Sequence, residues 1–114
     1  MKGLILCVCQ GTCPSFSKMN IFEVINYFRR NKNVDFVAIH PQLCATDGDN
    51  FWRVLLSKND LIDKIIVAGC DPIMQKKMFS WVFKELSFDE SKFIGVEIRN
   101  MNTEEAIKAI EKAL

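Results

Sequence analysis

Four of the five cysteines follow runs of apolar residues. Cys7 and Cys9 end the first run, Cys44 comes shortly after the second, and Cys70 directly follows the third. If these runs are parallel strands of one sheet, their carboxyl ends lie along one edge, where such sheets bind ligands. Thiols brought together at one edge are ligands for an iron–sulfur cluster or for zinc. The expected chemistry is therefore binding of a cluster or a metal.

The residues beside these cysteines suit an inorganic group. Gly11 and Gly48 allow the backbone to approach a bulky core closely and leave N–H groups free to face its sulfurs. Cys70 directly precedes a predicted helix, whose amino end favours a thiolate. Cys13 lies in the first loop, before Pro14. Its role stays open between a further ligand, an exchangeable thiol and an uninvolved side chain.

Composition limits the classes of function. At 114 residues with 49% hydrophobic residues, the chain is expected to be one globular domain spanning 1–114. A net charge of +1 argues against a nucleic-acid groove, which is usually strongly basic. No apolar run approaches the length of about 18 residues that a membrane span needs. Five cysteines without a signal sequence argue against a secreted disulfide framework and predict a cytoplasmic protein.

Strand and helix patterns alternate four times along the chain. Strands are predicted at 3–9, 34–40, 62–69 and 93–98. The first helix is predicted at 18–31 with Ser17 as its cap, and the second follows a turn at 47–49. The third helix is predicted to begin at Pro72 with Asp71 as its cap, and the fourth at Asn102, which has capping-box spacing to Glu105. Four such units predict an α/β fold, a flavodoxin-like or Rossmann-like parallel sheet of order 2-1-3-4 with helices on both faces. The site is then predicted at the switch point between strands one and three.

Other side chains have simpler interpretations. Trp52 and Trp81 lie in helical apolar stripes and are predicted to belong to the core. His40, which ends the second strand, is more often satisfied by backbone or water than used as a ligand. Arg99 either adjusts the charge of the site or docks a partner, or it forms an exposed ion pair with Glu97. The apolar stripe of the third helix is predicted at Met74, Met78, Val82 and Leu86.

A different function is suggested by the first loop. Residues 7–15 resemble the phosphate-binding loop of phosphotransferase-system IIB proteins, small α/β domains that use a phosphorylated cysteine. A thiolate surrounded by backbone amides suits phosphoryl transfer. That interpretation leaves Cys44 and Cys70 without a role, and Pro14 removes one amide. A third alternative is a regulatory or interaction domain without a cofactor.

Four short motifs resemble the amino-terminal domain of the A-type polypeptide of heterodisulfide reductase, and together they cover nearly the whole chain. In that domain the first strand ends in the motif C-x-C-G. The motifs C-S-x-x-G, A-S-C-S-P and N-I-R-E follow it along the chain. The matching segments here are 7–11, 44–48, 68–72 and 97–100. The match is imperfect, since Gln10 precedes the first glycine and the family's cysteine and tryptophan after the last motif are absent.

The resemblance implies an iron–sulfur cluster held by Cys7, Cys9, Cys44 and Cys70, the four-iron form being favoured over the two-iron form. Further candidates for this site are Cys13, Gly11, Gly48 and Arg99. It also implies redox partners of the flavin or ferredoxin type and the metabolism of anaerobes. Because the flavin-binding and ferredoxin-type modules of the family are not in this sequence, the resemblance implies a non-catalytic electron-transfer component of an oxidoreductase complex.

Overall fold

The computed structural model describes residues 1–30 and 33–114, which form one parallel sheet with helices on both faces. The order of the strands is β2-β1-β3-β4, and every neighbouring pair is parallel. The strands are Lys2–Cys7 (β1), Phe36–His40 (β2), Lys64–Gly69 (β3) and Phe93–Glu97 (β4). The α/β class and the strand order predicted from the sequence are therefore confirmed.

The helices lie in two pairs on opposite faces of this sheet. They are Ile21–Arg29 (α1), Thr46–Leu55 (α2), Pro72–Glu85 (α3) and Thr103–Glu111 (α4). Helix α1 contacts α4, and α2 contacts α3. Alternate residues of β1 point to the two faces, so Leu4 and Leu6 belong to the layer under α1 and α4, whereas Ile5 and Cys7 belong to the layer under α2 and α3. None of the helices in the described residues has the length and apolar character of a membrane span.

Aromatic rings fill the layer under α2 and α3. Trp52 is fully buried, as predicted, and its ring packs edge-on against Phe79 and Phe83 at centroid distances of 5.4 and 5.3 Å. The prediction that Trp81 is a core residue is wrong, because 53% of it is exposed. Its ring lies instead on the surface beneath the guanidinium of Arg53, 5.4 Å from the ring centre.

The buried stripe of α3 agrees with the predicted stripe at Val82 but not at the other predicted positions. The residues of α3 that face the sheet are Gln75, Phe79, Val82 and Phe83. Met78, which was predicted to be buried, is 39% exposed. The two phenylalanines have more apolar surface to bury than the methionine, and they determine how the helix is rotated about its axis.

Helix starts were predicted with mixed success. Asp71 caps α3 by accepting hydrogen bonds from the amides of Ile73 and Met74, and α4 has the predicted capping box. Ser17 is not the cap of α1, since its hydroxyl donates to Pro14 O and Asn20 caps the helix. Asn31, the predicted end of this helix, lies outside the described residues.

The predicted turn at 47–49 is wrong, because these residues belong to α2, which begins at Thr46. Gly48 allows this early start. A Cβ at position 48 would lie 1.9 Å from the carbonyl oxygen of Leu43, so no side chain fits there. The turn residues favoured by sequence alone therefore form the first turn of a helix that packs directly on the preceding loop.

Replacing Gly48 with alanine is expected to destabilise the protein by about 3 kcal/mol or more, because backbone must move to remove the overlap. Gly11→Ala is the matched control. Gly11 has a φ of +76° but nothing within 4 Å of an added Cβ, so only backbone strain of about 1 kcal/mol is expected. Urea unfolding of both variants measures the two losses. Equal losses would contradict the packing role given to Gly48.

Candidate functional site

The carboxyl edge of the sheet carries all four predicted ligand cysteines. Cys7 is the last residue of β1, and Cys9 follows it by two positions. Cys44 lies between β2 and α2, and Cys70 lies between β3 and α3. Because β1 lies between β2 and β3, these segments flank the switch point of the sheet. The topology thus places the four thiols at the edge where the sequence predicted them.

Cys7 is buried at this edge of the sheet and is only 4% exposed. Its Sγ accepts a hydrogen bond from the amide of Leu43 at 3.4 Å and another from the amide of Cys9. Burial raises the pKa of the Cys7 thiol, the amide hydrogen bonds oppose this, and the nearby thiols of Cys70 and Cys44 raise the pKa further. Without a bound cation, Cys7 is therefore a protonated thiol at neutral pH.

Cys9 begins a left-handed stretch of backbone. The φ angles are 49° at Cys9, 65° at Gln10 and 76° at Gly11, and positive values are uncommon for residues other than glycine. Two hydrogen bonds hold the stretch, from Gln10 N to Pro41 O at 2.6 Å and from Gly11 N to Val8 O at 3.0 Å. Strained backbone of this kind is concentrated at functional sites in proteins.

Cys13 lies next to Cys9. Hydrogen bonds from the amide and the hydroxyl of Ser15 to its sulfur lower the pKa of Cys13, and contact with Cys9 and the charge of Arg99 add to this effect. The pKa of Cys9 is raised, by burial first and then by the neighbouring Cys13. Cys13 therefore belongs to the same surface as the four predicted ligands.

Two glutamines donate hydrogen bonds to the remaining sulfurs. Gln42 Nε2 lies 3.5 Å from Cys44 Sγ, and Gln75 Nε2 lies 3.8 Å from Cys70 Sγ. The amino end of α3 next to Cys70 is itself occupied, since its amides donate to Asp71. The glutamine amides, rather than the helix amino end, are thus the donors aimed at these thiols.

The other candidate residues have structural partners. Gly48 packs on the backbone of Leu43, and Gly11 lies in open space. Arg99 forms an exposed ion pair with Glu97, with Nε 3.0 Å from Oε1. This ion pair is one of the two alternatives that the sequence left open.

Both nitrogens of His40 are partnered, Nδ1 by backbone as predicted and Nε2 by the carboxylate of Asp47, which the sequence analysis did not predict. Its Nδ1 accepts a hydrogen bond from the amide of Gln42 at 3.0 Å, and its Nε2 lies 3.3 Å from Asp47 Oδ2. His40 is 7% exposed, and its ring packs 5.2 Å from that of Phe51. The histidine therefore secures the loop that carries Cys44.

The donor set at this edge fits a thiolate-bound group better than a hard cation. Within residues 1–30 and 33–114, no three His, Cys, Asp or Glu side chains are grouped closely enough to hold a single metal ion. A four-iron cluster makes a different demand, because each of its four cysteine ligands binds a different iron atom of an extended core. The thiols of Cys70 and Cys44 lie close enough to Cys7 to raise its pKa, and N–H groups donate to the sulfurs of all three, which is compatible with thiolate ligands.

The two glutamines were missed in the sequence analysis. A signal for Gln75 exists in the spacing, because it lies four residues before Phe79 and eight before Phe83, at a position of the helix that should be apolar. No comparable signal marks Gln42, which approaches Cys44 through the conformation of the loop after β2.

Comparison with known proteins gives a distant relationship. No protein-family profile matches the chain. The chain is 26% identical over 115 residues to the A-type iron-sulfur subunit of the CoB–CoM heterodisulfide reductase of Methanopyrus kandleri. The match includes 97% of this chain but only 17% of that protein, so the chain corresponds to a small part of its relative. The resemblance predicted from the four motifs is thus supported as a distant similarity to part of this reductase polypeptide.

The thiols are expected to differ in reactivity. In protein free of metals, Cys13 should react with iodoacetamide near neutral pH at least about tenfold faster than Cys7, since a lowered pKa and access favour attack while burial prevents it. Peptide mapping by mass spectrometry after timed labelling measures both rates. Urea-unfolded protein is the control in which the difference should disappear. Equal rates in the folded protein would show that the first loop does not distinguish these thiols.

Proposed function

We propose that this chain binds one iron–sulfur cluster at the carboxyl edge of its sheet and serves as an electron-transfer module of a larger redox complex. The ligands in this proposal are Cys7, Cys9, Cys44 and Cys70. The observation that supports it most directly is the position of these four thiols around the switch point between β1 and β3. When bound, such a cluster supplies one-electron transfer at a potential set by its surroundings.

Backbone groups around Cys7 and Cys9 would position these ligands and stabilise their charge. The amides of Leu43 and Cys9 orient Cys7 Sγ and stabilise negative charge on it. The left-handed backbone from Cys9 to Gly11 turns the chain sharply at the rim. Cluster binding must remove the proton of Cys7, so loading is expected to release protons and to be favoured by higher pH.

The similarity to the reductase subunit supports both the iron–sulfur cofactor and the place of this chain in a larger redox complex. The name of the relative describes an iron-sulfur subunit of a heterodisulfide reductase, and this chain matches one part of it along nearly all of its own length. We infer that the electron donor and acceptor are other redox proteins of the flavin or ferredoxin type. We further propose the four-iron cluster over the two-iron cluster, and an auxiliary place for Cys13 and Arg99 at the rim.

The phosphoryl-carrier alternative fits the first loop less well. Amides that would have to surround a phosphate are already used, since Gln10 and Gly11 donate to carbonyl groups and so do Phe16 and Ser17. Cys7 is buried, and its sulfur faces the amide of Leu43 instead of the solvent. A phosphate on this cysteine would have no room and few donors.

Anaerobic reconstitution with iron and sulfide tests the proposal. We expect a brown protein with about four irons and as many labile sulfides per chain. Cys44→Ala and Cys70→Ala should each lose most of the iron, because each removes one ligand. Cys13→Ala is the matched control, a cysteine of the same surface outside the proposed ligand set, and it should retain iron and colour.

Two outcomes contradict the proposal in different ways. A protein that stays colourless and takes up phosphate at Cys7 or Cys9 from a phosphohistidine donor would be a phosphoryl carrier. A cluster that survives in Cys44→Ala but is lost in Cys13→Ala would show that the ligand set is wrong. Circular dichroism of each variant establishes that the fold is retained before iron is measured.

A further inference from the structure

The buried face of α3 contains one polar residue, and it lies at the end nearest the cysteines. The other residues of this stripe are Phe79, Val82 and Phe83, each at most 1% exposed. Gln75 is equally buried, with 1% exposure. A helix of this kind normally presents only apolar residues to the sheet. The glutamine therefore requires an explanation beyond the packing of α3.

The contacts of Gln75 direct its amide to the cysteine site. Its Nε2 lies 3.8 Å from Cys70 Sγ. A Cβ added at Gly69 would lie 3.2 Å from this Nε2 and 3.2 Å from the Cβ of Cys7. The amide thus lies beside the ends of β1 and β3, and the absence of a side chain at Gly69 leaves space for it.

The other end of the same amide is unsatisfied. Gln75 Oε1 is buried and has no hydrogen-bond partner among the described residues. A glutamine amide has two donor hydrogens and an acceptor oxygen, and burying the oxygen without a partner lowers stability. An apolar side chain of the same length would avoid this loss. Folding alone therefore does not account for a glutamine at this position.

We propose that Gln75 is a positioning residue of the cysteine site, which donates an N–H hydrogen bond to Cys70 Sγ from the buried side. This inference rests on the proposed iron–sulfur function. A donor to a ligand sulfur stabilises the more negative, reduced state of the bound cluster, so Gln75 raises the reduction potential. The donor is effective because Gln75 is itself only 1% exposed, so its hydrogen bond lies in surroundings of low polarity.

Gln42 makes the corresponding bond on the open side and provides a matched control. It donates to Cys44 Sγ at 3.5 Å, but it is half-buried and also accepts a hydrogen bond from the exposed Gln10. Water can take over its role as donor after substitution. The two glutamines therefore make the same kind of bond to sulfur, but they differ in their access to solvent and in whether the amide oxygen has a partner.

The test is an anaerobic redox titration of reconstituted protein with Gln75→Met, a substitution of similar length without a donor. We expect the ratio of reduced to oxidised cluster at a fixed potential to fall by about threefold to tenfold. A tenfold change corresponds to about 59 mV for a one-electron couple. Gln75→Leu, which also lacks a donor, should lower the potential as well. It replaces Gln75→Met in the titration if that variant does not fold. Gln42→Met should change the ratio by less than about twofold.

Urea unfolding of the cluster-free proteins separates this role from a structural one. Gln75→Met removes an unpartnered buried oxygen, so the apoprotein should be at least as stable as the wild type. Unchanged potentials in both Gln75 variants, or an equal shift in Gln42→Met, would overturn the inference while leaving the iron–sulfur function in place. Wild-type protein that binds no iron or sulfide after reconstitution would overturn both.

Discussion

The common direction of the four strands is the constraint on which the site depends. Because all neighbouring strands are parallel, every strand ends at the same edge, and residues separated by more than sixty positions are brought to one rim. A single antiparallel strand would place its cysteine at the opposite edge. The parallel sheet in turn requires both faces to be covered by helices, which explains the two apolar layers. Cys7 is itself part of the apolar layer under α2 and α3, and Cys44 and Cys70 lie in the segments that lead from β2 and β3 into these helices.

Hydrogen-bond donors around the sulfurs distinguish this edge from an ordinary set of buried thiols. Free cysteine often behaves as a small apolar side chain and needs no donor. Here the sulfur of Cys7 accepts from two amides, and the sulfurs of Cys44 and Cys70 each accept from a glutamine. Such donors stabilise negative charge on sulfur, which a thiolate ligand carries and a thiol does not. At Cys7 these donors oppose the effect of burial, which still leaves the pKa of this thiol raised.

Two residues, Gly48 and Trp81, have a different role in the structure from the one that their sequence pattern indicates. Gly48 was expected to give a bulky cofactor access to the backbone, yet its missing side chain accommodates Leu43 O within the protein itself. Trp81 shares the spacing of core residues, but the rotation of α3 leaves it exposed against Arg53. For Trp81 the decisive contact comes from a helix distant in sequence, whereas for Gly48 it comes from the conformation of the loop that directly precedes α2. Local pattern alone contains neither contact.

The sequence by itself determined the four strands, their parallel order and the edge at which the cysteines lie, because short apolar runs alternating with amphipathic helices allow few other folds. It also determined the caps at Asp71 and Asn102, which depend only on neighbouring residues. The tertiary structure alone decided which face of α3 is buried, and hence that Gln75 reaches Cys70. It also decided the left-handed turn at Cys9. These features depend on packing between distant segments, whose competing contacts cannot be ranked from local spacing.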